Sequence, residues 1–394
     1  MSKAASSKQK SAGEHKATAM TTEWEIVPMG QLCSIKSGKS DTQDAVEDGM
    51  YAFFDRSRTI KRSSRYLFDC EALIIPGEGK EFLPKYFSGK FDLHQRAYAL
   101  FDFSNRIDVK FLYYYLHHMS DYFPRVAVGA TVKSLRLRHF EQLPVALTNL
   151  PEQQRIVSIL DEAFDEIAAA KANAEKNLQS ARAIFESHLQ SIFLHRGEGW
   201  VDKTLDKACN VERGSSPRPI KEYFTTKPDG VNWIKIGDTK EGEKYIYSTG
   251  QKITPEGTKQ SRFVKEGDFI LTNSMSFGRP YIMRTSGYIH DGWFVLRLNT
   301  SIDTDYFYYL LSSSFVQSQF AKLASGSVVK NISSDLVKQA ILPIPPLAQQ
   351  LVIVKKASGL SIETQRLESI YQQKLAALDE LKKSLLDQAF SGRL

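Results

Sequence analysis

Cysteine is scarce in this 394-residue chain. Cys33, Cys70 and Cys209 are odd in number, widely spaced and form no CxxC pair. That spacing argues against a disulfide framework and a structural zinc site, and a reducing, cytoplasmic setting is expected. Long apolar runs are missing too. The densest, Ala72–Pro76 and Ile341–Leu347, fall well short of the roughly 18 residues a membrane span requires, so no membrane association is expected. The lysine-bearing start, Met1–Met20, lacks the apolar stretch of a secretory signal. Glycine and proline are absent from Glu152 to Leu194, which removes the usual interruptions to a helix.

What is present suits a folded protein of two or three domains, with 42% hydrophobic and 25% charged residues. Lys and Arg outnumber Asp and Glu by 52 to 45, a basic excess compatible with a polyanionic partner. The chain also repeats itself. Trp24–Ser40 lies over Trp200–Ser216 at a constant offset of 176, with Cys33 over Cys209 and Gly38 over Gly214. Ile107–Leu116 matches Ile302–Leu311 at offset 195, and Gly129–Leu135 matches Gly326–Ile332 at offset 197. Leu143-Pro144 then answers Leu342-Pro343, and Glu152-Gln153-Gln154 answers Ala348-Gln349-Gln350. The growing offset places insertions in the second copy, around Pro217–Gly230 and Tyr245–Gly257.

Each copy has two parts, and the expected fold class is α+β. A disordered tail over 1–22 precedes a mixed domain over 23–150. A long helix follows over 151–196, then a second mixed domain over 197–345 and a second long helix over 346–394. Within the mixed domains, Ala72–Ile75 and Asp268–Leu271 read as strands, and the Tyr-rich segments after Asp108 and Asp303 as short helices with an acidic first residue. In the first long helix, Ile156, Leu160, Ala163, Ile167, Ala170, Ala174, Leu178, Ala181, Phe185, Leu189 and Ile192 recur at steps of three and four, a coiled-coil-like seam. Leu367, Tyr371, Leu375, Leu378, Leu381 and Leu385 repeat the pattern, with Gly359 as a candidate kink. Each helix would be on the order of 65 Å long. The simplest partner for each is the other, antiparallel, giving an approximate twofold internal repeat.

Catalytic look-alikes fail on spacing. Gly38-Lys39-Ser40 has the tail of a phosphate-binding loop, but Cys33 stands where the required glycine should be. Asp69, Glu78 and Lys80 resemble the acidic pair and lysine of metal-dependent nucleases, yet the second copy has no Glu-x-Lys after Asp268. The histidines show no HxxxH or HExxH spacing. No catalytic residue, cofactor site or metal site is assigned. A coiled-coil scaffold binding protein at its terminal domains, and a nuclease using Asp69, Glu78 and Lys80, are the competing readings.

Two diverged mixed domains, each followed by a long helix opening in Pro-x-x-Gln-Gln, resemble the specificity subunits of type I restriction–modification systems. Leu150-Pro151-Glu152-Gln153-Gln154-Arg155-Ile156-Val157, Pro345-Pro346-Leu347-Ala348-Gln349-Gln350 and the ending Leu385–Leu394 carry the likeness, as do Gly267–Thr272, Gly278-Arg279 and Gly292–Leu296. The resemblance spans Trp24 to Leu394. It implies two target-recognition domains, each reading one half of a split, asymmetric sequence in double-stranded DNA. It also implies helices that set the half-site spacing and dock two methyltransferase subunits, with restriction and translocase subunits beyond them. S-adenosylmethionine, ATP and Mg²⁺ would then be held by those partners, and this chain would be non-catalytic.

Candidate DNA contacts in the first domain are the basic run Arg56, Arg58, Arg62 and Arg65 with Lys61, the triplet His94-Gln95-Arg96, and Lys133 with Arg136 and Arg138. Lysine and arginine suit phosphates, while Gln and Arg can read adenine and guanine bidentately. In the second domain the candidates are Asn273, Ser274, Ser276, Arg279, Lys330 and Asn331. Gln153, Gln154, Gln349 and Gln350 are candidates either for orienting the start of each helix or for contacting a methyltransferase. The tyrosines at 113–115 and 306–309 are expected to pack in the core.

Overall fold

The computed structural model describes residues 24–240, 242–273, 277–299, 301–324 and 333–394. They form two compact units: the described residues up to Ala172 together with Leu375–Leu394, and Asn173–Lys374. Each unit therefore holds one mixed domain and a half of each long helix.

In the first unit, strand Glu25–Pro28 pairs antiparallel with Pro144–Leu147, so the two ends of the mixed domain meet just before the long helix. Between them lies a six-stranded sheet in the order Ser34–Ser37, Ala97–Phe101, Phe68–Pro76, Lys85–Leu93, Tyr51–Phe54 and Lys61–Ser63. Only Tyr51–Phe54 and Lys85–Leu93 run parallel. The central strand reads as a continuous apolar run because both of its faces are covered. Leu73 and Ile75 enter a core with Phe111, Leu112 and Leu116 of the helix Val109–His118, while Ala72 and Ile74 enter another with Phe54 and Phe91.

The second unit repeats this logic. Val201–Thr204 pairs with Ile341–Ile344, and a five-stranded sheet runs Cys209–Arg213, Trp293–Leu298, Phe269–Thr272, Pro280–Met283, Tyr245–Ile246. Phe269 and Leu271 face one core and Ile270 the other. A further five-stranded sheet includes the short strands Phe224–Thr225 and Lys252–Ile253, which lie in the two stretches expected to be insertions.

The long helices are single elements, Leu150–Leu194 and Leu347–Phe390, the second unbroken through Gly359. Asn149 Oδ1 accepts from Glu152 N–H at 3.0 Å and Pro151 occupies the first turn, the expected chemistry of a helix start. Within the first unit the helices run antiparallel: Arg155 donates to the Leu394 carbonyl, Lys171 pairs with Asp379, and Lys382 lies over the Phe164 ring. Arg182 pairs with Glu368 at 2.7 Å in the second.

The seam expected on the first helix is buried or half-buried throughout. On the second helix the expectation needs correction. Leu367 and Leu381 are 40% and 46% exposed, whereas Thr364 is 8% exposed. The stripe that is buried or half-buried passes through Ile353, Ala357, Thr364, Tyr371, Leu375 and Leu378, and Leu367 falls to one side of it.

Candidate nucleic-acid interface

The first unit brings three segments together at the turn His94-Gln95-Arg96. Gly38 N–H donates to the Ala97 carbonyl at 3.2 Å, Gly77 N–H to Arg96 O at 2.7 Å, and Ala97 N–H to His94 O at 2.9 Å. The His94 ring closes the turn, with Nδ1 accepting from Arg96 N–H at 3.0 Å. Glycine is required at position 38 because a Cβ there would lie 1.9 Å from the Leu93 carbonyl oxygen. The segment that resembled a phosphate loop is thus a close backbone approach.

Side chains on this junction are mostly basic. Arg96 is exposed, and its Nη1 donates to both Glu78 oxygens at 2.8 and 2.9 Å; the Glu78 carboxylate raises the Arg96 pKa further. Gln95 donates to Asp41 at 3.1 Å. Leu135 N–H donates to Gly77 O at 2.8 Å, which brings Lys133, paired in register with Gly79, and Arg136 to the same place. Lys39, Lys80, Arg136 and Arg138 are exposed and have no ion-pair partner among the described residues. Phosphate is the natural counter-charge for such a group of cations.

The run Arg56–Arg65 does not form one basic row. Arg58 pairs with Glu81, Lys61 with the buried Asp55, and Arg65 with Asp44, while Arg62 Nε donates to Gly49 O. Burial would raise the Asp55 pKa, but hydrogen bonds from Lys61 and Ser57 win and lower it. Arg65 also donates to Ser40, whose hydroxyl bonds the buried Asp92 at 2.7 Å. Arg56 and Arg62 are the exposed members of the run without an ion pair among the described residues.

The second unit builds the same junction. Gly214 N–H donates to Trp293 O at 2.8 Å, Asn273 N–H to Gly292 O at 2.9 Å, and Trp293 N–H to His290 O at 3.2 Å. His290 Nδ1 accepts from Gly292 N–H at 2.8 Å, and burial lowers the His290 pKa against the pull of Asp291, which keeps the acceptor available. Gly214 again faces a carbonyl, with a Cβ placed 2.1 Å from His290 O. Every bond has a counterpart in the first unit at offset 176 or 196. Asp291 accepts from Ser216 at 3.0 Å and from Arg218 at 3.2 Å, and these contacts hold its pKa down despite its partial burial.

Asn273 is buried, its amide donating to Asp291 O, so it braces the turn and is not a surface reader. Arg279 is half-buried, with its backbone N–H on Thr272 Oγ1. Ser274, Ser276, Lys330 and Asn331 lie outside the described residues. Sequence reasoning missed His290, Asp291, Ser216 and Arg218. The available signal was His94-Gln-Arg-Ala-Tyr-Ala-Leu100 over His290-Asp-Gly-Trp-Phe-Val-Leu296.

The glutamine candidates separate. Gln153 is fully buried: its Oε1 accepts from Asp108 N–H at 2.8 Å and its Nε2 donates to Arg106 O and Thr148 O at 2.8 and 2.7 Å. Gln350 does the same with Asp303 N–H, Ser301 O and Pro345 O. These two buried amides are internal braces, which is the helix-orienting alternative of the two left open by the sequence. Their equivalence also moves the repeat register by one, matching Gln153 to Gln350. Gln349 is half-buried on Trp200 and Glu198, and Gln154 is exposed.

The nuclease constellation does not assemble. Asp69 lies at the start of strand Phe68–Pro76 and faces Lys90 at 4.0 Å, whereas Glu78 lies beyond its other end, in strand Glu78–Gly79, and holds Arg96. Among the described residues no three His, Cys, Asp or Glu side chains gather as a metal site, and no helix is long and apolar enough to cross a membrane.

Two diverged copies of one mixed domain, each with the same turn-centred junction and a long helix, define a duplicated recognition architecture. The type I restriction modification DNA specificity domain matches residues 21–177 and again 197–375, and the chain belongs to that family. It is similar to the type I restriction enzyme EcoDI specificity subunit of Escherichia coli, at 23% identity over 95% of this chain and 89% of that one. The MjaVIII specificity subunit of Methanocaldococcus jannaschii is 20% identical over 94% of this chain and 93% of its own. A structure solved in work on the assembly and conformational transition of the type I R-M system has the same fold. Its TM-score is 0.72 at 16% identity, covering 94% of this chain and 98% of that one.

Proposed function

We propose that this chain is the DNA-reading, non-catalytic subunit of a type I restriction–modification complex. Each unit reads one half of a split, asymmetric sequence in duplex DNA. The observation that carries this is the duplicated junction, one backbone frame bearing different side chains in the two units. Two unlike readers on one chain imply two unlike half-sites, and a stiff helical connection makes their separation a geometric property of the chain. The helices also dock two methyltransferase subunits, to which restriction and translocase subunits attach. Exposed Leu351, Val352, Ile362, Ile370 and Ile184 on the helices support a docking role. S-adenosylmethionine, ATP and Mg²⁺ belong to those partners.

The test is single-molecule mapping of methylated bases in DNA from cells expressing the chain with the methyltransferase of its own system, and from cells expressing that methyltransferase alone. A split methylated sequence that depends on the chain is expected. With an active methyltransferase, an unchanged methylation pattern would refute the reading and favour a protein-binding scaffold.

A further inference from the structure

The duplicated junction separates what is held constant from what varies. Both turns begin with a histidine whose Nδ1 accepts from the N–H two residues on, and both are pinned by a glycine and by the end of the central strand. The second and third residues differ: Gln95 and Arg96 in one unit, Asp291 and Gly292 in the other. A backbone frame kept identical while its outward residues change in size and charge is the arrangement a reading element needs. Resting on the function proposed above, we propose that this three-residue turn is the base-reading element of each unit, and that Arg96 reads a guanine in the first half-site.

The geometry around Arg96 supports a reader more than a phosphate clamp. Glu78, with a side chain only 14% exposed, takes both of its bonds from Nη1. That fixes the plane of the fork and leaves the Nη2 and Nε hydrogens for the O6 and N7 acceptors of guanine in the major groove. Lys39, Lys80 and Arg136 on the neighbouring segments supply phosphate contacts that set register. In the second unit Gly292 has no side chain to read with. Asp291, held by Ser216 and Arg218, is the outward group there, and a carboxylate suits the N4 donor of cytosine. The two turns would then select different base pairs on the same frame.

The test uses the full chain with its methyltransferase, mapped as above for the wild type, Arg96→Ala and Asp291→Asn. A bidentate pair is worth about 1–3 kcal/mol of discrimination, roughly tenfold to a hundredfold. Arg96→Ala should therefore relax a single G·C position in one half-site, leaving the gap and the other half-site unchanged. Asp291→Asn should change only that other half-site. Absence of any chain-dependent split sequence in the wild type overturns both the function and this inference. A split wild-type sequence with no G·C pair in one of its half-sites, or with both half-sites unaltered in Arg96→Ala, overturns the inference alone.

If Arg96→Ala abolishes methylation, Arg96→Lys decides. The purified complex is bound to the wild-type duplex and to duplexes with each G·C pair inverted. Loss of discrimination at one position supports guanine reading. Uniform weakening, or no binding to any duplex, means that Arg96 contacts phosphate or braces the fold, and refutes it.

Discussion

Replacing Gln153 by Met asks whether its buried amide braces the first unit or serves a partner. The side chains are similar in length and volume, so the cavity contribution is small and the hydrogen bonds are what is lost. Three are at stake: one from Asp108 N–H and two to the carbonyls of Arg106 and Thr148. An orphaned buried N–H costs about 1–3 kcal/mol, and each weakened carbonyl bond about 0.5–1.5 kcal/mol. The expected local destabilisation is therefore about 3 kcal/mol. A chain of two units need not unfold in one step, so the assay should be local. Hydrogen exchange read by mass spectrometry should speed up in peptides covering 106–112 and 148–156 by roughly a hundredfold, at 1.36 kcal/mol per tenfold. Peptides of the second unit should not change. Gln350→Met should give the reverse pattern through Asp303. Unchanged exchange in Gln153→Met, together with weaker methyltransferase binding, would refute the brace and restore the partner role.

Two further outcomes follow from the cores. Burial, with help from the Lys382 charge, pushes the His117 pKa down to about 4, and its Nε2 is buried without a hydrogen-bond partner among the described residues. The unfolded chain takes up this proton first, so stability from His117 is present above about pH 6.5 and is lost as pH falls towards 4. By pH 5 the loss is about 2 kcal/mol, and His117→Leu should melt with that much less acid sensitivity; equal acid sensitivity in wild type and variant would count against it. Gly38→Ala and Gly214→Ala each drive a Cβ into a backbone carbonyl, at 1.9 and 2.1 Å. Each should destabilise its own junction by at least about 1–3 kcal/mol, seen as faster exchange at 93–97 or 290–294, and unaltered exchange in both would show that the backbone yields cheaply.

Much of this architecture is legible from residue patterns because its determinants are local. A glycine-free run with apolar steps of three and four can hardly be anything but a long helix, and Trp24–Ser40 over Trp200–Ser216 needs no gap to be seen. The misread charges and the misplaced seam share a cause, which is that partners distant in sequence decide them. Arg58 and Arg65 read as free cations until Glu81, Asp44 and Asp92 are brought beside them by strand pairing. The second seam was misplaced because a leucine is as apolar at 367 as at 375, and only the packed partner distinguishes them. The matching turns at His94 and His290 were hidden by brevity: the histidine and the leucine six residues on are their identical residues in seven. Their meaning appears only once the backbone bonds are compared.

The division of the chain also sets an order of maturation during synthesis. The second unit is contiguous, Asn173–Lys374, and all of its parts exist once Lys374 has left the ribosome. The first unit is not. Leu386, Ala389 and Phe390 belong to its core, with Phe390 lying 5.2 Å from both Phe111 and Tyr115. At roughly 5–20 residues per second, the intervening stretch of about 200 residues takes tens of seconds to translate. Throughout that time the nascent first domain carries an uncovered aromatic face. The domain made first is therefore the one finished last, its core closed only when the final turn of helix arrives.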